Sequence, residues 1–315
     1  MKILANDGIS QSGIDALTKE GFEVLTTTVA QEQLVDYIND NEIVALLVRS
    51  ATKVRTDIID NCPSLKIIGR GGVGMDNIDV EYAREKGLSV INTPAASSES
   101  VAELVFAHLY GGVRCLHDAN RNMPLEGEKN FKKLKKNYAK GVELSGKTLG
   151  VIGFGRIGQA TAKIALGVGM NVIYFDPFTE TAEITLSFFD GQTVTFNLKS
   201  TSKEEVLKQA DFITLHVPAQ KEYVIGKAEF DLMKDGAAII NAARGGVIDE
   251  VALVDALENK LAFAGLDTFE NEPTPEVKLL MNHKISLTPH IGAATSQAQD
   301  RIGLELASQI TSILK

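Results

Sequence analysis

Three clusters of residues in this 315-residue chain have the types and spacing that chemistry needs. In KTLGVIGFGRIGQ, Gly153, Gly155 and Gly158 follow an apolar, strand-like run and open a helical one. The first glycine of such a unit permits a tight turn, the second lets the backbone approach a pyrophosphate, and the third lets helix and strand pack closely. The helix start, Arg156 and Ile157, offers N–H donors and a partial positive charge to the phosphates. Asp176 ends the next apolar run, about 20 residues on, where a carboxylate accepts hydrogen bonds from ribose hydroxyls. A lone GxGxxG says little; with its strand, helix and acid in place it predicts a bound dinucleotide. Pro177 to Glu180 include no Lys or Arg for a 2′-phosphate, which favours NAD over NADP.

The second cluster is AIINAARGG, where Arg244 follows an apolar strand and reaches the edge at which open α/β sheets bind ligands. A guanidinium there grips a planar carboxylate through two parallel hydrogen bonds and polarises an adjacent carbonyl or hydroxyl. The third comprises LDTFENEP and LTPHIGAAT. His290 is one of two strand-end histidines among the five in the chain, the other being His216 in ITLHVP. Histidine is the side chain best matched to proton transfer near neutral pH, and a carboxylate beside it orients the ring and stabilises its charged form. Asp267, Glu270 and Glu272 are all near enough in sequence to be that carboxylate, and position does not choose among them.

Elements that would carry these residues are legible as alternating patterns. KILAN, FEVLTTT, EIVALLVRS, LKIIGRG and LSVINTP are short apolar runs separated by helical segments, which predicts right-handed βαβ crossovers and a parallel sheet. A second series starts at KTLGVIGFG and continues through NVIYFD, DFITLHVP, AAIINAAR, FAGLDTF and ISLTP. Between the two, SSESVAELVFAHLYGGVRCLHDANRN reads as one long helix with a helix-start signal at Ser97, Ser98 and Glu99. The last stretch, SQAQDRIGLELASQITSILK, reads as an amphipathic helix whose return to the first module would make that domain discontinuous. Residues 183–199, EITLSFFDGQTVTFNLK, break the rhythm: two alternating β-prone runs flank Asp190-Gly191, a hairpin signal that favours positive φ at its central residues. This insertion reads as a surface decoration in preference to a flap over the nucleotide or a subunit contact.

Composition sets the class. The length suits two domains, and 44% hydrophobic with 23% charged residues is that of an ordinary globular protein. No segment approaches the roughly 18 apolar residues of a membrane span, and MKILANDG is too briefly apolar for a secretory signal, so a cytoplasmic location is expected. Cys62 and Cys115 form neither a disulfide framework nor a metal cluster, and a net charge of −9 argues against nucleic-acid or anionic-membrane partners. Against that acidity, Leu46 to Met75 carries Arg49, Lys53, Arg55, Lys66 and Arg70 beside only Asp57 and Asp60. Arg49 and Arg70 follow strand ends and suit a doubly anionic substrate, while Arg55 and Lys66 read as solvated charges. Lys132 to Lys136, KKLKK, reads as a solvated face in preference to a contribution to a neighbouring subunit's site.

In this order, VRSATKV, GRGGVGMDNID, VINTPAASSESVAEL, ELSGKTLGVIGFGRIGQ, ADFITLHVP, INAARGGVIDE, LDTFENEP and PHIGAAT make the chain resemble the D-isomer-specific 2-hydroxyacid dehydrogenases, closest to the 3-phosphoglycerate dehydrogenase branch. The resemblance implies two doubly wound parallel-sheet α/β domains. A Rossmann NAD domain, residues 97–291, would be inserted in a flavodoxin-like substrate domain, residues 1–96 and 292–315, with the active site in the cleft and a homodimer formed through the NAD domains. It assigns Arg244, Glu272 and His290 to catalysis. Asp267, the backbone at Ala242 and Gly292 are assigned to the cofactor, and Arg49, Ser50, Arg70, Gly71 and Gly72 to the substrate. The implied reaction is NAD-dependent oxidation of 3-phospho-D-glycerate to 3-phosphohydroxypyruvate, at the entry to serine synthesis. Reduction of glyoxylate or hydroxypyruvate and, remotely, a non-catalytic NAD-sensing corepressor are the alternatives. Three departures stand out: the 183–199 insertion, Val73 where relatives often carry Thr, and the expectation of a short form lacking a C-terminal regulatory domain.

Overall fold

The apolar runs of the first 92 residues become β1 (Lys2–Ala5), β2 (Glu23–Leu25), β3 (Ile43–Val48), β4 (Ile67–Arg70) and β5 (Ser89–Asn92) in a computed structural model that describes all 315 residues. They form one parallel sheet in the order β2-β1-β3-β4-β5, the flavodoxin-like order. Nearly continuous apolar sequence, as in the IVALLV of β3, follows from burial on both faces. One face is covered by Leu34, Ile38, Ile58, Ile59 and Ala83 from the helices Leu34–Asp40, Thr56–Asn61 and Val80–Glu85. The other meets Ile302, Leu306, Ala307 and Ile310 of the helix Ser296–Leu314. That helix lies on Gln11–Lys19 through two facing glycines: a Cβ on Gly13 would stand 2.8 Å from Gly303 Cα. The chain's last helix therefore belongs with its first strands, and the two units are Met1–Ser100 with Ala293–Lys315, and Val101–Gly292.

The second unit contains β6 (Thr148–Ile152), β7 (Asn171–Phe175), β8 (Thr181–Ser187), β9 (Thr193–Lys199), β10 (Phe212–Leu215), β11 (Ala238–Asn241), β12 (Phe263–Leu266) and β13 (Ile285–Leu287). Six of these make a parallel sheet in the order β7-β6-β10-β11-β12-β13, with its direction of winding reversed between β6 and β10. In a parallel sheet all carboxyl ends share one edge. Gly153, Asp176, His216, Arg244, Asp267 and His290 thus follow the ends of the six strands in turn, on the edge where such sheets bind ligands.

Two expectations are revised. The segment read as one long helix is two, Ser98–Val113 and Leu116–Asn137, separated by Cys115 in the left-handed conformation (φ 52°). The first helix ends over β12, where Gly112 lies so close to Phe263 that a Cβ would stand 2.0 Å from the ring. Periodicity in sequence does not register such a tertiary constraint. The insertion is a hairpin of β8 and β9 with Ile184 opposite Phe196, and only Gly191 of its turn has positive φ (87°). Asp190 instead accepts a hydrogen bond from the Gln192 N–H. Ile184 and Leu186 are buried, and Ala182 and Leu198 pack against the core, so the hairpin's inner face is part of the domain rather than a decoration.

The two adjacent glycines separate packing from helix propensity. Gly112→Ala is expected to destabilise the protein by about 1–3 kcal/mol through the clash with Phe263. Gly111→Ala, whose Cβ would meet only Ser286 Oγ at 3.9 Å, is expected to be neutral or stabilising by up to about 1 kcal/mol. Urea unfolding of both variants checks this, and equal effects would contradict the packing account.

Candidate active site

The glycine run behaves as three different constraints. Gly153 has φ 92°, and a Cβ there would stand 2.4 Å from the His216 carbonyl oxygen, so the turn tolerates no side chain. A Cβ on Gly158 would stand 2.2 Å from the Gly153 carbonyl oxygen, which makes this glycine the close contact between helix and strand. Gly155 differs: nothing lies within 4 Å of its Cβ position, leaving room for a ligand to approach the backbone. Gly155 is also the N-cap of the helix Arg156–Gly167, which has no side-chain cap and no acid in its first turn. Its unclaimed N–H groups and positive end suit a pyrophosphate, with Arg156 exposed and Ile157 half-buried beside them. Asp176 closes the cradle, accepting from Phe154 N–H at 2.6 Å on one oxygen and from Phe178 and Thr179 N–H on the other. These features fit an adenine dinucleotide, with carboxylate lone pairs remaining for ribose hydroxyls.

Beside the cradle, Asn241 shapes the loop carrying Arg244. Its side chain accepts from Ala243 N–H and donates to the Arg244 carbonyl, while Ala242 is buried next to it. Arg244 Nη1 donates to the Ala243 carbonyl at 2.6 Å. The loop after β12 passes so close that a Cβ on Gly245 would stand 1.9 Å from the Phe269 carbonyl oxygen.

Each of the three candidate acids has a different task. Glu272 Oε2 lies 2.8 Å from His290 Nδ1, and its Oε1 accepts from Phe269 N–H at 3.0 Å. A carboxylate only accepts, so Nδ1 carries the proton and Nε2 is the nitrogen left to exchange one with a substrate. Glu270 accepts from Glu250 N–H, and Glu250 accepts from Glu270 N–H in return; burial raises the Glu250 carboxyl above its usual range. Asp267, 1% exposed, accepts from the Thr288 hydroxyl at 2.6 Å and from the N–H groups of Ile291 and Gly292 at 2.8 Å each. His290 itself adopts φ 55°, a left-handed conformation, and donates its N–H to the Thr288 carbonyl.

His216, the other strand-end histidine, does not face a reactant. Its Nε2 lies among the hydroxyls of Thr161 and Thr214, its Nδ1 is enclosed, and burial pushes the imidazole down to about 3. It is neutral near pH 7 and unsuited to carrying protons there.

In the first unit, Val48 and Arg70 are register partners, so Arg49 with Ser50, and Arg70 with Gly71 and Gly72, leave adjacent strand ends. Asp7 holds the Arg49 loop, accepting from the N–H groups of Arg49 (2.6 Å) and Thr52 and from the Thr52 hydroxyl. Asn77 donates to the carbonyls of Arg49 and Thr52. Arg70 Nη1 donates to the Gly71 carbonyl, and Gly72 has φ 149° beneath that guanidinium. Arg55 pairs with Asp79 at 2.6 Å, Lys66 is exposed, and in KKLKK only Leu134 is buried. Sequence reasoning missed Asp7, Thr288 and Phe154. Thr288, two residues before His290, was within its reach as a hydroxyl in the same turn.

The sequence profile of the D-isomer specific 2-hydroxyacid dehydrogenase NAD binding domain matches residues 106–292. The chain is 43% identical to a D-3-phosphoglycerate dehydrogenase of Methanocaldococcus jannaschii, over 100% of this chain and 58% of that protein. It is also 43% identical to a hydroxypyruvate reductase of Thermotoga maritima, over 98% of this chain and 97% of that protein. Among solved structures, the NAD+-bound 3-phosphoglycerate dehydrogenase of Entamoeba histolytica superposes with a TM-score of 0.77 at 28% identity, covering 99% of this chain and 95% of that one. No helix is long and apolar enough to cross a membrane.

Burial of His216 has a measurable consequence. In the folded protein its imidazole protonates only near 3, whereas an unfolded histidine does so near about 6.5, so its contribution is intact above pH 6.5 and is lost as pH falls toward 3. His108, lowered in the same direction mainly by burial, adds to the loss. Between about pH 7.5 and about pH 5, His216→Gln is expected to remove roughly 2 kcal/mol of the acid-side decline in unfolding free energy. A variant as pH-dependent as the parent would mean that His216 titrates normally in the fold.

Proposed function

This chain belongs to the D-isomer specific 2-hydroxyacid dehydrogenases, and we propose that it oxidises a D-2-hydroxy acid with NAD, 3-phospho-D-glycerate being its substrate. The observation that carries the reading is the 2.8 Å contact of His290 Nδ1 with Glu272, on the same sheet edge as the glycine cradle and Arg244. The cradle at Gly153 to Gly158, Asp176, Ala242, Asp267 and Gly292 would hold NAD, whose nicotinamide accepts the hydride from substrate C2.

His290 Nε2 takes the proton of the substrate's C2 hydroxyl as that carbon becomes a carbonyl, its hydride being what bound NAD would accept. Glu272, bonded through Nδ1–H, stabilises the imidazolium so produced. Arg244 binds the substrate carboxylate and steadies the charge on the reacting oxygen. In the reverse direction the imidazolium returns the proton.

Arg49 and Arg70 support a phosphorylated substrate, because two guanidinium groups at adjacent strand ends suit a dianion in a chain of net charge −9. Ser50 and the backbone of Gly71 and Gly72 complete that site. An unphosphorylated 2-oxo acid is the second reading, favoured by the 43% identity to a hydroxypyruvate reductase and by Val73, which brings no hydroxyl. A cytoplasmic homodimer belongs to the same proposal. Tyr110, Leu116, Met123, Leu125 and Phe131, exposed along the helices Ser98–Val113 and Leu116–Asn137, are the apolar surface such a dimer would cover.

With NADH and a panel of 2-oxo acids, kcat/KM is expected to be highest for 3-phosphohydroxypyruvate, and Arg49→Ala and Arg70→Ala should raise KM for it far more than for hydroxypyruvate. Higher kcat/KM on hydroxypyruvate would select the second reading. His290→Ala should lower kcat by at least about 100-fold while NADH affinity stays within about twofold. Near-normal turnover would remove His290 from the proton-transfer role.

A further inference from the structure

The reaction described above makes no use of Ser286, His108 or Thr288, a line of polar groups that leads to Asp267. His108, on the helix Ser98–Val113, is 2% exposed. Its Nδ1 lies 2.8 Å from Ser286 Oγ and its Nε2 lies 3.0 Å from Thr288 Oγ1. Thr288 Oγ1 in turn stands 2.6 Å from Asp267 Oδ1. The strand beneath makes room for the ring: a Cβ on Gly265 of β12 would stand 2.7 Å from His108 Cβ and 2.9 Å from its Cγ.

The protons in this line have one consistent order. The Asp267 carboxylate only accepts, so the single proton of the Thr288 hydroxyl goes to it. Thr288 Oγ1 must then receive its other hydrogen bond from His108, which places a proton on Nε2. Burial holds the His108 imidazole below its usual range, with His117 adding to the effect and Asp267 opposing it. The neutral ring therefore accepts at Nδ1 from the Ser286 hydroxyl. Donation runs one way, from Ser286 through His108 and Thr288 to Asp267.

The line ends where positioning matters. Asp267 also accepts from the N–H groups of Ile291 and Gly292, the two residues after His290, and the Thr288 carbonyl accepts from His290 N–H. His290 holds φ 55°, a conformation that is strained for a non-glycine residue and persists only where its surroundings impose it. Thr288 and Asp267 grip this turn from both sides, and His108 holds the Thr288 hydroxyl that Asp267 accepts from.

We propose that His108 is a positioning residue for the proton-transfer histidine: through Thr288 and Asp267 it holds the left-handed turn that aims His290 Nε2 at the substrate. The proposal rests on the reading that His290 carries the substrate proton. If the parent protein shows no turnover, or His290→Ala is fully active, that reading fails, whatever His108 does.

His108→Leu and His108→Gln test it in the full chain. Glutamine retains a donor for Thr288 and an acceptor for Ser286; leucine retains neither. With the parent active, His108→Leu is expected to lower kcat at least about tenfold, since small misplacements of a catalytic group are costly. KM for the 2-oxo acid should stay within about twofold and NADH should still bind at one per chain, while His108→Gln recovers most of the loss. If the leucine variant fails to fold, Thr288→Val, which preserves shape and deletes the hydroxyl, is expected to show the same loss of kcat with KM unchanged. The proposal is overturned if the variants that fold keep kcat within about twofold, if Leu and Gln lose equally, or if the loss follows the fraction of chains that bind NADH.

Discussion

One buried carboxylate holds the reactive edge of the second unit together. Asp267 sits at the end of β12 and takes hydrogen bonds from the Thr288 hydroxyl and from the N–H groups of Ile291 and Gly292, all donated by the segment that follows β13. Three donors satisfy a charge that would be costly to bury alone. They also bend the chain so that His290, lying between the hydroxyl and the two amides, enters the left-handed region. Without that bend, the ring and Glu272 would have no reason to meet. Glu272 is fixed from its own side, because Phe269 N–H occupies one of its oxygens and leaves the other for Nδ1.

The parallel sheet supplies the rest of the geometry by a general route. Six strands running in one direction deliver their following loops to one edge, and reversal of winding between β6 and β10 opens that edge to a ligand. Glycine sets the closest approaches. Gly153, Gly158 and Gly245 stand where a single Cβ would collide with backbone oxygen, whereas the Cβ position of Gly155, within the same glycine run, meets open space. In the first unit the same logic places Arg49 beside the winding reversal between β1 and β3, with its backbone N–H held by Asp7 from the end of β1.

Much of this was legible in the sequence, for reasons that differ by element. Buried strands leave apolar runs, and the GxGxxG spacing records three steric demands, so the α/β class and the nucleotide cradle could be read directly. The hairpin was readable from Asp190-Gly191, though not that its inner face joins the core, which depends on how Ile184 and Leu186 meet the domain. The helix break after Val113 was not readable, because the apolar periodicity runs on through it and does not mark the single left-handed residue, Cys115, that separates the two helices. Nor could spacing say which of three acids meets His290. That choice is made by Phe269 N–H binding Glu272, Glu250 binding Glu270, and the turn after β13 binding Asp267.

The central claim is that this clamp leaves His290 with a protonated Nδ1 held by Glu272 and a bare Nε2 directed outward. Nitrogen-15 NMR of the histidine rings, recorded on the full chain above neutral pH, reads it directly. His290 is expected to be the Nδ1–H tautomer, with a deshielded proton that moves when Glu272 is replaced by Gln. A ring protonated at Nε2, or one whose Nδ1 signal ignores that substitution, would contradict it.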